Sequence, residues 1–204
     1  MSDEIYDLII IGSGTSGMAA AIYAGRFGMK TLVIGELPGG TITLTHLVEN
    51  YPGYKRLSGL ELAEHFQDHV KDIGVETKMG KITDIKHDNE TDPFVLTTAT
   101  NETFQAKTIL LATGTEHRKL GVPGEEELAN KGVSYCATCD GPMFKDKVMA
   151  IVGGSDSAVK ESLLLAEYGT KVYIVYRGEA VRAEPINKKR MEDAPNIEVI
   201  NNTN

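Results

Sequence analysis

The stretch Tyr6-Asp7-Leu8-Ile9-Ile10-Ile11-Gly12-Ser13-Gly14-Thr15-Ser16-Gly17-Met18-Ala19-Ala20-Ala21 decides the fold. Its unbroken apolar, isoleucine-rich run predicts a strand over residues 6–11 that is buried on both faces, as in a parallel sheet. The alanine-rich continuation over 18–24 predicts a helix able to pack close to that strand. Between them, Gly12-x-Gly14-x-x-Gly17 has the spacing of a dinucleotide fingerprint. The first glycine permits the tight turn, and the second lets a pyrophosphate approach the backbone. The third lets helix and strand pack closely, with phosphate at the helix N-terminus. Residues 30–34 read as the next strand and close a βαβ unit. A merely structural α/β turn is the alternative, and the strands on both sides favour a dinucleotide over it.

The fingerprint calls for Asp or Glu about 20 residues on, at the end of the second strand. Here that strand ends Val33-Ile34-Gly35-Glu36, so glycine fills the expected place and Glu36 sits one position late. Glu36 reads equally as a ribose ligand or as a solvated loop charge.

The same plan recurs further on. A strand over 148–152 leads into Gly153-Gly154-Ser155-Asp156-Ser157-Ala158, then a helix to Tyr168, a stop at Gly169 and a strand over 171–176. Ser155 stands where the pyrophosphate-facing glycine is expected and crowds the approach. Arg177 and Arg182 follow the second strand, where such folds hold a ribose 2′-phosphate; a solvated pair on a loop is the alternative. A short helix over 186–193 and a strand over 196–200 come last. Between the two copies, Ser58-Gly59-Leu60-Glu61 has capping-box spacing and opens a helix that runs to about residue 73, before Gly74. Alternation over 94–98, a polar turn at 101–103 and the run to Leu111 predict antiparallel strands. The expected fold class is α/β: two Rossmann-like βαβ dinucleotide-binding modules with mainly parallel sheets in three layers, the first carrying an inserted antiparallel β segment. The expected domains are 1–117 and 118–204.

Composition bounds the function classes. With 204 residues, 41% of them hydrophobic, the chain can bury a core and is not disordered. Its net charge of −8 repels phosphate backbones, which argues against a nucleic-acid partner. Residues 1–146 carry 13 basic and 21 acidic side chains, whereas 147–204 carry 8 of each, consistent with two regions of different surface chemistry. The early apolar run falls far short of the roughly 20 residues a membrane span needs. Acid near the N-terminus replaces the base of a secretory signal, so a soluble, cytoplasmic protein without membrane contact is expected.

Both cysteines lie in Cys136-Ala137-Thr138-Cys139-Asp140. A C-x-x-C beside βαβ units in a cytosolic chain reads as redox-active. Two thiols at this spacing can close a small disulfide, proximity lowers the pKa of one, and the following carboxyl can carry the proton that exchange moves. Half of a zinc site is one alternative, but the chain has no second cysteine pair and no histidine after His117 to complete it. Two inert buried cysteines are the other. No metal is expected. His65 and His69 read as a helix face, and Glu125-Glu126-Glu127 as a solvated face or a helix start.

Taken together, these residues resemble one family nearly end to end: the low-molecular-weight thioredoxin reductases, which are flavoprotein disulfide reductases. The likeness rests on the first glycine turn, Gly39-Gly40, Glu49-Asn50-Tyr51-Pro52-Gly53, Ala112-Thr113-Gly114, the cysteine motif and the second glycine turn. Its most specific element is Cys136-Ala137-Thr138-Cys139-Asp140 ahead of a second nucleotide fingerprint. The resemblance implies that the first domain binds FAD, with Gly12, Gly14 and Gly17 on the pyrophosphate. Ser13, Thr15, Ser16, Glu36, Gly40, Thr41, Asn50, Ala112, Thr113 and Gly114 would complete that cofactor site. It implies NADP(H) or NAD(H) in the second domain, at Gly153, Gly154, Ser155, Asp156 and Ser157, with Arg177 and Arg182 on a 2′-phosphate. Cys139 would face the flavin, Cys136 would attack the partner's disulfide, and Asp140 would serve as acid and base. The implied partner is a thioredoxin-like or glutaredoxin-like small redox protein, and the implied assembly a homodimer whose domains rotate, with a first hinge strand at Arg118-Lys119-Leu120-Gly121.

Three residues depart from the family's pattern: Ser155 replaces a glycine, Gly178 an arginine and Tyr176 a histidine. They leave open NADH or a donor other than a pyridine nucleotide, and also a nucleotide-binding or redox-sensing module that does not turn over. The family's chain returns to the flavin domain near its C-terminus, and no residue after Asn204 does so here. A fragment of a reductase about half as long again is therefore expected, by analogy with the family.

Overall fold

The isoleucine run forms β1 (Ile5–Ile11), followed by α1 (Thr15–Arg26) and β2 (Thr31–Gly35). In the computed structural model, which describes residues 4–203, the chain divides into two compact units between Glu116 and His117. In the first unit β1 lies between β2 and the long C-terminal strand of its sheet, parallel to both. Its residues alternate between two cores. Ile9 and Ile11 pack with Leu32, Ile34 and Leu96 on one face, and Ile10 with Met18, Ala21, Val33 and Val70 on the other. Ile9 and Ile10 are both fully buried, the two-sided burial that an unbroken apolar strand requires.

α2 (Gly59–Asp72) starts where the capping box placed it. The Glu61 N–H donates to Ser58 Oγ at 3.1 Å while the Ser58 N–H donates to Glu61 Oε2 at 2.7 Å, which satisfies two N-terminal donors at once. This bonding to Ser58 also holds the Glu61 carboxyl below the usual carboxylate range. After α2 come β3 (Glu76–Met79), β4 (Ile82–Lys86), β5 (Phe94–Thr98) and β6 (Thr103–Leu111), giving the six-stranded order β3-β2-β1-β6-β5-β4. β4, β5 and β6 form the antiparallel segment, and β3 extends the parallel part beside β2. β3 and β4 go beyond the strands that the sequence predicts. Both are largely exposed edge strands, so Glu76-Thr77-Lys78-Met79 carries no buried periodicity and takes its place from pairing with β2.

The second unit holds a one-turn helix α3 (Ala137–Asp140), then β7 (Val148–Val152), α4 (Asp156–Ala166), β8 (Lys171–Val175), α5 (Pro185–Asp193) and β9 (Ile197–Ile200). The three strands pair in parallel in the order β7-β8-β9. Val159, Ile174, Val181 and Met191 form its core. The expected hinge strand over residues 118–121 is not a strand: the Leu120 and Gly121 N–H groups donate to the Glu125 carboxylate instead of to a neighbouring strand. Among the described residues no helix is long and apolar enough to cross a membrane.

Candidate redox and nucleotide sites

Backbone contacts build the first glycine turn. Gly12 has φ +118°, and a Cβ there would lie 2.0 Å from the Ala112 carbonyl oxygen. The turn after β1 thus touches the Ala112-Thr113-Gly114 segment after β6, and the Ala112 N–H donates to the Ile11 carbonyl at 2.8 Å. A Cβ on Gly17 would lie 1.9 Å from the Gly12 carbonyl oxygen, so the third glycine is what lets α1 sit on the turn. On the other side Gly40 lies against Gly14, where a Cβ would come within 2.6 Å of the Gly14 Cα. The Gly39 N–H donates to the Ser13 carbonyl at 2.9 Å, and Ser13 Oγ donates to the Leu37 carbonyl at 2.9 Å. Thr41 follows in the short 3₁₀ turn Gly40–Leu44.

Gly35 has its own steric reason. A Cβ at that position would lie 2.2 Å from Ser13 Oγ and 2.6 Å from Ser13 N. The place where the fingerprint calls for an acid is therefore closed to any side chain. Glu36, one residue later, is exposed and pairs with Lys81 Nζ at 3.1 Å. Asn50 lines a surface depression formed by residues 49–55. Gly14 caps α1 without a side chain, and the first turn, with Thr15 half-buried and Ser16 exposed, carries no acid. An uncapped helix end in a glycine-lined cradle presents N–H groups and the positive end of a helix dipole. These residues fit the pyrophosphate of a dinucleotide.

The second turn is built differently. Ser155 is the N-cap of α4 and its Oγ accepts the Ala158 N–H at 3.5 Å, while Asp156 places an acid in the first turn. Asp156 also ties α4 to α5. Its carboxylate accepts from the Glu184 N–H at 2.9 Å, Asn187 Nδ2 at 3.0 Å and Lys160 Nζ at 3.2 Å. Burial pushes its pKa upward, but the bonds from Asn187, Glu184 and Lys160 win and hold it below the ordinary aspartate value. Ser157 is exposed. The ring of Tyr176 lies against two glycines: a Cβ on Gly154 would meet it at 2.5 Å and one on Gly178 at 2.6 Å. Gly153 has φ +140° and donates its N–H to the Val175 carbonyl at 3.0 Å. Arg182 is drawn to the turn through its N–H, which donates to the Gly154 carbonyl at 2.7 Å, and both Arg177 and Arg182 have exposed side chains.

Cys136 and Cys139 are joined in a disulfide with their Cα atoms 5.3 Å apart. With the two sulfurs bonded to one another the motif stands in its oxidised form. Cys136 is the N-cap of α3, and its Sγ accepts the Cys139 N–H at 3.1 Å. Cys136 is half-buried, Cys139 exposed, and Asp140 half-buried at the end of α3. Gly141, the next residue, sits against Leu165 of α4, where a Cβ would lie 2.9 Å from Leu165 Cδ2, so the redox pair is seated on the second βαβ unit.

Glu125 does not belong to a solvated acidic face: it is only 4% exposed. Its carboxylate accepts the Leu120 N–H at 2.8 Å, the Gly121 N–H at 2.6 Å and the Tyr135 hydroxyl. The Tyr135 hydroxyl and these N–H groups hold Glu125 below the usual glutamate range, and bonding to Glu125 pushes the Tyr135 phenol up. Glu126, by contrast, is exposed and pairs with Lys119 Nζ at 2.9 Å. Gly121 and Gly124, with φ +71° and +87°, flank the inward turn.

Residues 6–204 match the family described as Pyridine nucleotide-disulphide oxidoreductase. The chain is 44% identical over 203 residues to a thioredoxin reductase of Listeria innocua, covering 98% of this chain and 63% of that protein. The crystal structure of Lactococcus lactis thioredoxin reductase in its FR conformation superposes with a TM-score of 0.93 at 41% identity, over 97% of this chain and 64% of the other. The crystal structure of T. acidophilum thioredoxin reductase superposes with a TM-score of 0.89 at 34% identity, over 98% of this chain and 65% of the other. The chain thus spans less than two thirds of the length of these relatives. Two strand–glycine turn–helix units with a Cys-x-x-Cys disulfide ahead of the second agree with the match, and the chain belongs to the pyridine nucleotide-disulphide oxidoreductase family.

Proposed function

We propose that this chain passes electrons from NAD(P)H through FAD to the Cys136–Cys139 disulfide, and from the resulting thiols to the disulfide of a thioredoxin-like or glutaredoxin-like small redox protein. Residues 1–117 form the FAD-binding domain and 118–204 the NAD(P)H-binding domain with the cysteine pair, in a cytoplasmic homodimer. The observation that carries the proposal is the closed Cys136–Cys139 disulfide seated on a nucleotide-type βαβ unit. Gly12, Gly14 and Gly17 would cradle the FAD pyrophosphate, with Ala112, Thr113, Gly114 and Gly40 around them and the α1 N-terminus to meet its charge. The chemistry that FAD would supply there, when bound, is the passage of an electron pair from NAD(P)H to the disulfide. Two electrons and two protons open the Cys136–Cys139 bond to two thiols, and Asp140, next to Cys139, holds and returns a proton. The Cys136 thiolate attacks the partner's disulfide, forming a mixed disulfide and releasing one partner thiolate. The Cys139 thiolate then attacks Cys136 Sγ, which reforms the original bond and releases the second partner thiolate.

A donor other than NAD(P)H is the second reading, favoured by the Tyr176 ring over Gly154 and Gly178 and by an α4 N-terminus that carries its own cap and acid. The absorption spectrum of the purified chain, recorded before and after anaerobic addition of NADPH and of NADH, separates the two. A flavin band bleached by either nucleotide supports the first reading. A flavin band that dithionite bleaches and neither nucleotide touches supports the second, and absence of flavin from the folded chain sinks both. If the ring is what closes the turn, Tyr176→Ala lowers the NADH concentration for half-bleaching by about tenfold, worth about 1.4 kcal/mol. An unchanged titration would clear Tyr176 of that role.

A further inference from the structure

Glu125 joins two stretches of the second unit. It accepts from the Leu120 and Gly121 N–H groups at 2.8 and 2.6 Å, just after the boundary at Glu116, and from the hydroxyl of Tyr135. Tyr135 directly precedes Cys136. Ser134 also holds Cys136: the Cys136 N–H donates to Ser134 Oγ at 3.0 Å, and Ser134 Oγ donates to the Cys136 carbonyl at 3.3 Å. Beyond Cys136, the Cys139 N–H reaches its Sγ at 3.1 Å.

We propose that Glu125, acting through the Tyr135 hydroxyl, is a positioning residue that holds Cys136 on the Cys139 N–H when the disulfide is reduced. An N–H aimed at a sulfur favours its thiolate over its thiol, provided the backbone keeps the sulfur in place. Tyr135 is 40% exposed, and apart from the His117 ring stacked on it with centroids 6.4 Å apart, the bond at its hydroxyl is what fixes its place. The acceptor is well suited to the task. A buried carboxylate already fixed by backbone donors is preorganised, and leaving it without a donor is costly. Glu126, next in sequence, is turned to solvent and offers no such hold.

This inference rests on the redox reading of the cysteine pair, and it is tested on the chain itself with neither flavin nor partner protein. The reduced chain is pulsed with iodoacetamide at neutral pH, and the alkylation rate of each cysteine is read by mass spectrometry. The disulfide is also equilibrated with glutathione redox buffers. In Tyr135→Phe, which keeps the ring, and in Glu125→Gln, Cys136 is expected to alkylate about three- to tenfold more slowly while Cys139 is unaffected. The disulfide becomes harder to reduce, by up to about tenfold in the equilibrium constant or about 30 mV. Thermal melts identify any variant that fails to fold. Should Glu125→Gln fail, the outcome for folded Tyr135→Phe decides. Normal Cys136 reactivity and an unchanged equilibrium in folded Tyr135→Phe overturn the positioning role alone. A wild-type pair that does not exchange with glutathione at all overturns the redox reading and this inference together.

Discussion

Cys139→Ser is expected to abolish reduction of a partner disulfide while leaving reduction of bound flavin by its donor intact. On the proposed mechanism the exchange needs two sulfurs, because a mixed disulfide at Cys136 would have to be resolved by a second thiolate close at hand. The pair stands with its Cα atoms 5.3 Å apart, so an intramolecular attack replaces one that would have to come from solution. Serine removes that nucleophile, and turnover should fall by on the order of a thousandfold or more. The local frame survives, since the contact from residue 139 to Cys136 Sγ is made by a backbone N–H. Cys139→Ser should therefore accumulate a covalent partner complex, visible on a non-reducing gel, and Cys136→Ser should accumulate none. Partner reduction that continued in Cys139→Ser would show that the roles of the two cysteines are wrongly assigned.

How far the sequence could be read depended on where each contact originates. β1, the three glycines and the α2 cap were legible because their causes are local: a run of isoleucine, a φ of +118° at Gly12, and a serine and a glutamate three residues apart. The repeat of the same plan over residues 148–176 was legible for the same reason. β3 and β4 were not, because exposed edge strands bury no periodic face and are defined by their partners. Glu125 was misread because nothing in an acidic triplet distinguishes the residue that turns inward; the distinction comes from two N–H groups before it and a hydroxyl ten residues after it. Tyr176 stood out as a departure at its position, but its place against Gly154 and Gly178 follows only once β8 has set the direction of the chain. The two glycine turns look alike as strings, yet one helix end lacks a side-chain cap and the other has its own cap and acid.

Gly35 gives that difference between string and structure its sharpest test. Gly35→Asp would install the acid that the dinucleotide fingerprint calls for, and on sequence grounds it should strengthen cofactor binding. The packing predicts the opposite. A Cβ there would lie 2.2 Å from Ser13 Oγ and 2.6 Å from Ser13 N. Rotating the serine side chain relieves the first overlap but not the second, and the Ser13 backbone is held by the Gly39 N–H at 2.9 Å. The turn between β1 and α1 must therefore move, carrying Gly12 and Gly14 away from the contacts that shape the cradle. A carboxylate forced into this buried place also loses water without a partner prepared for it. The combined cost is expected to exceed about 3 kcal/mol, at the high end for a single substitution. Purified Gly35→Asp should retain less than about a tenth of the wild-type flavin, since each 1.4 kcal/mol is tenfold in affinity, and its urea midpoint should fall. Gly35→Ala should suffer most of the same loss, because the overlap arises at Cβ and not at the carboxylate. Wild-type stability with undiminished flavin in Gly35→Asp would mean that the turn is looser than these contacts allow, and that the missing acid, not the missing space, sets how this site holds its cofactor.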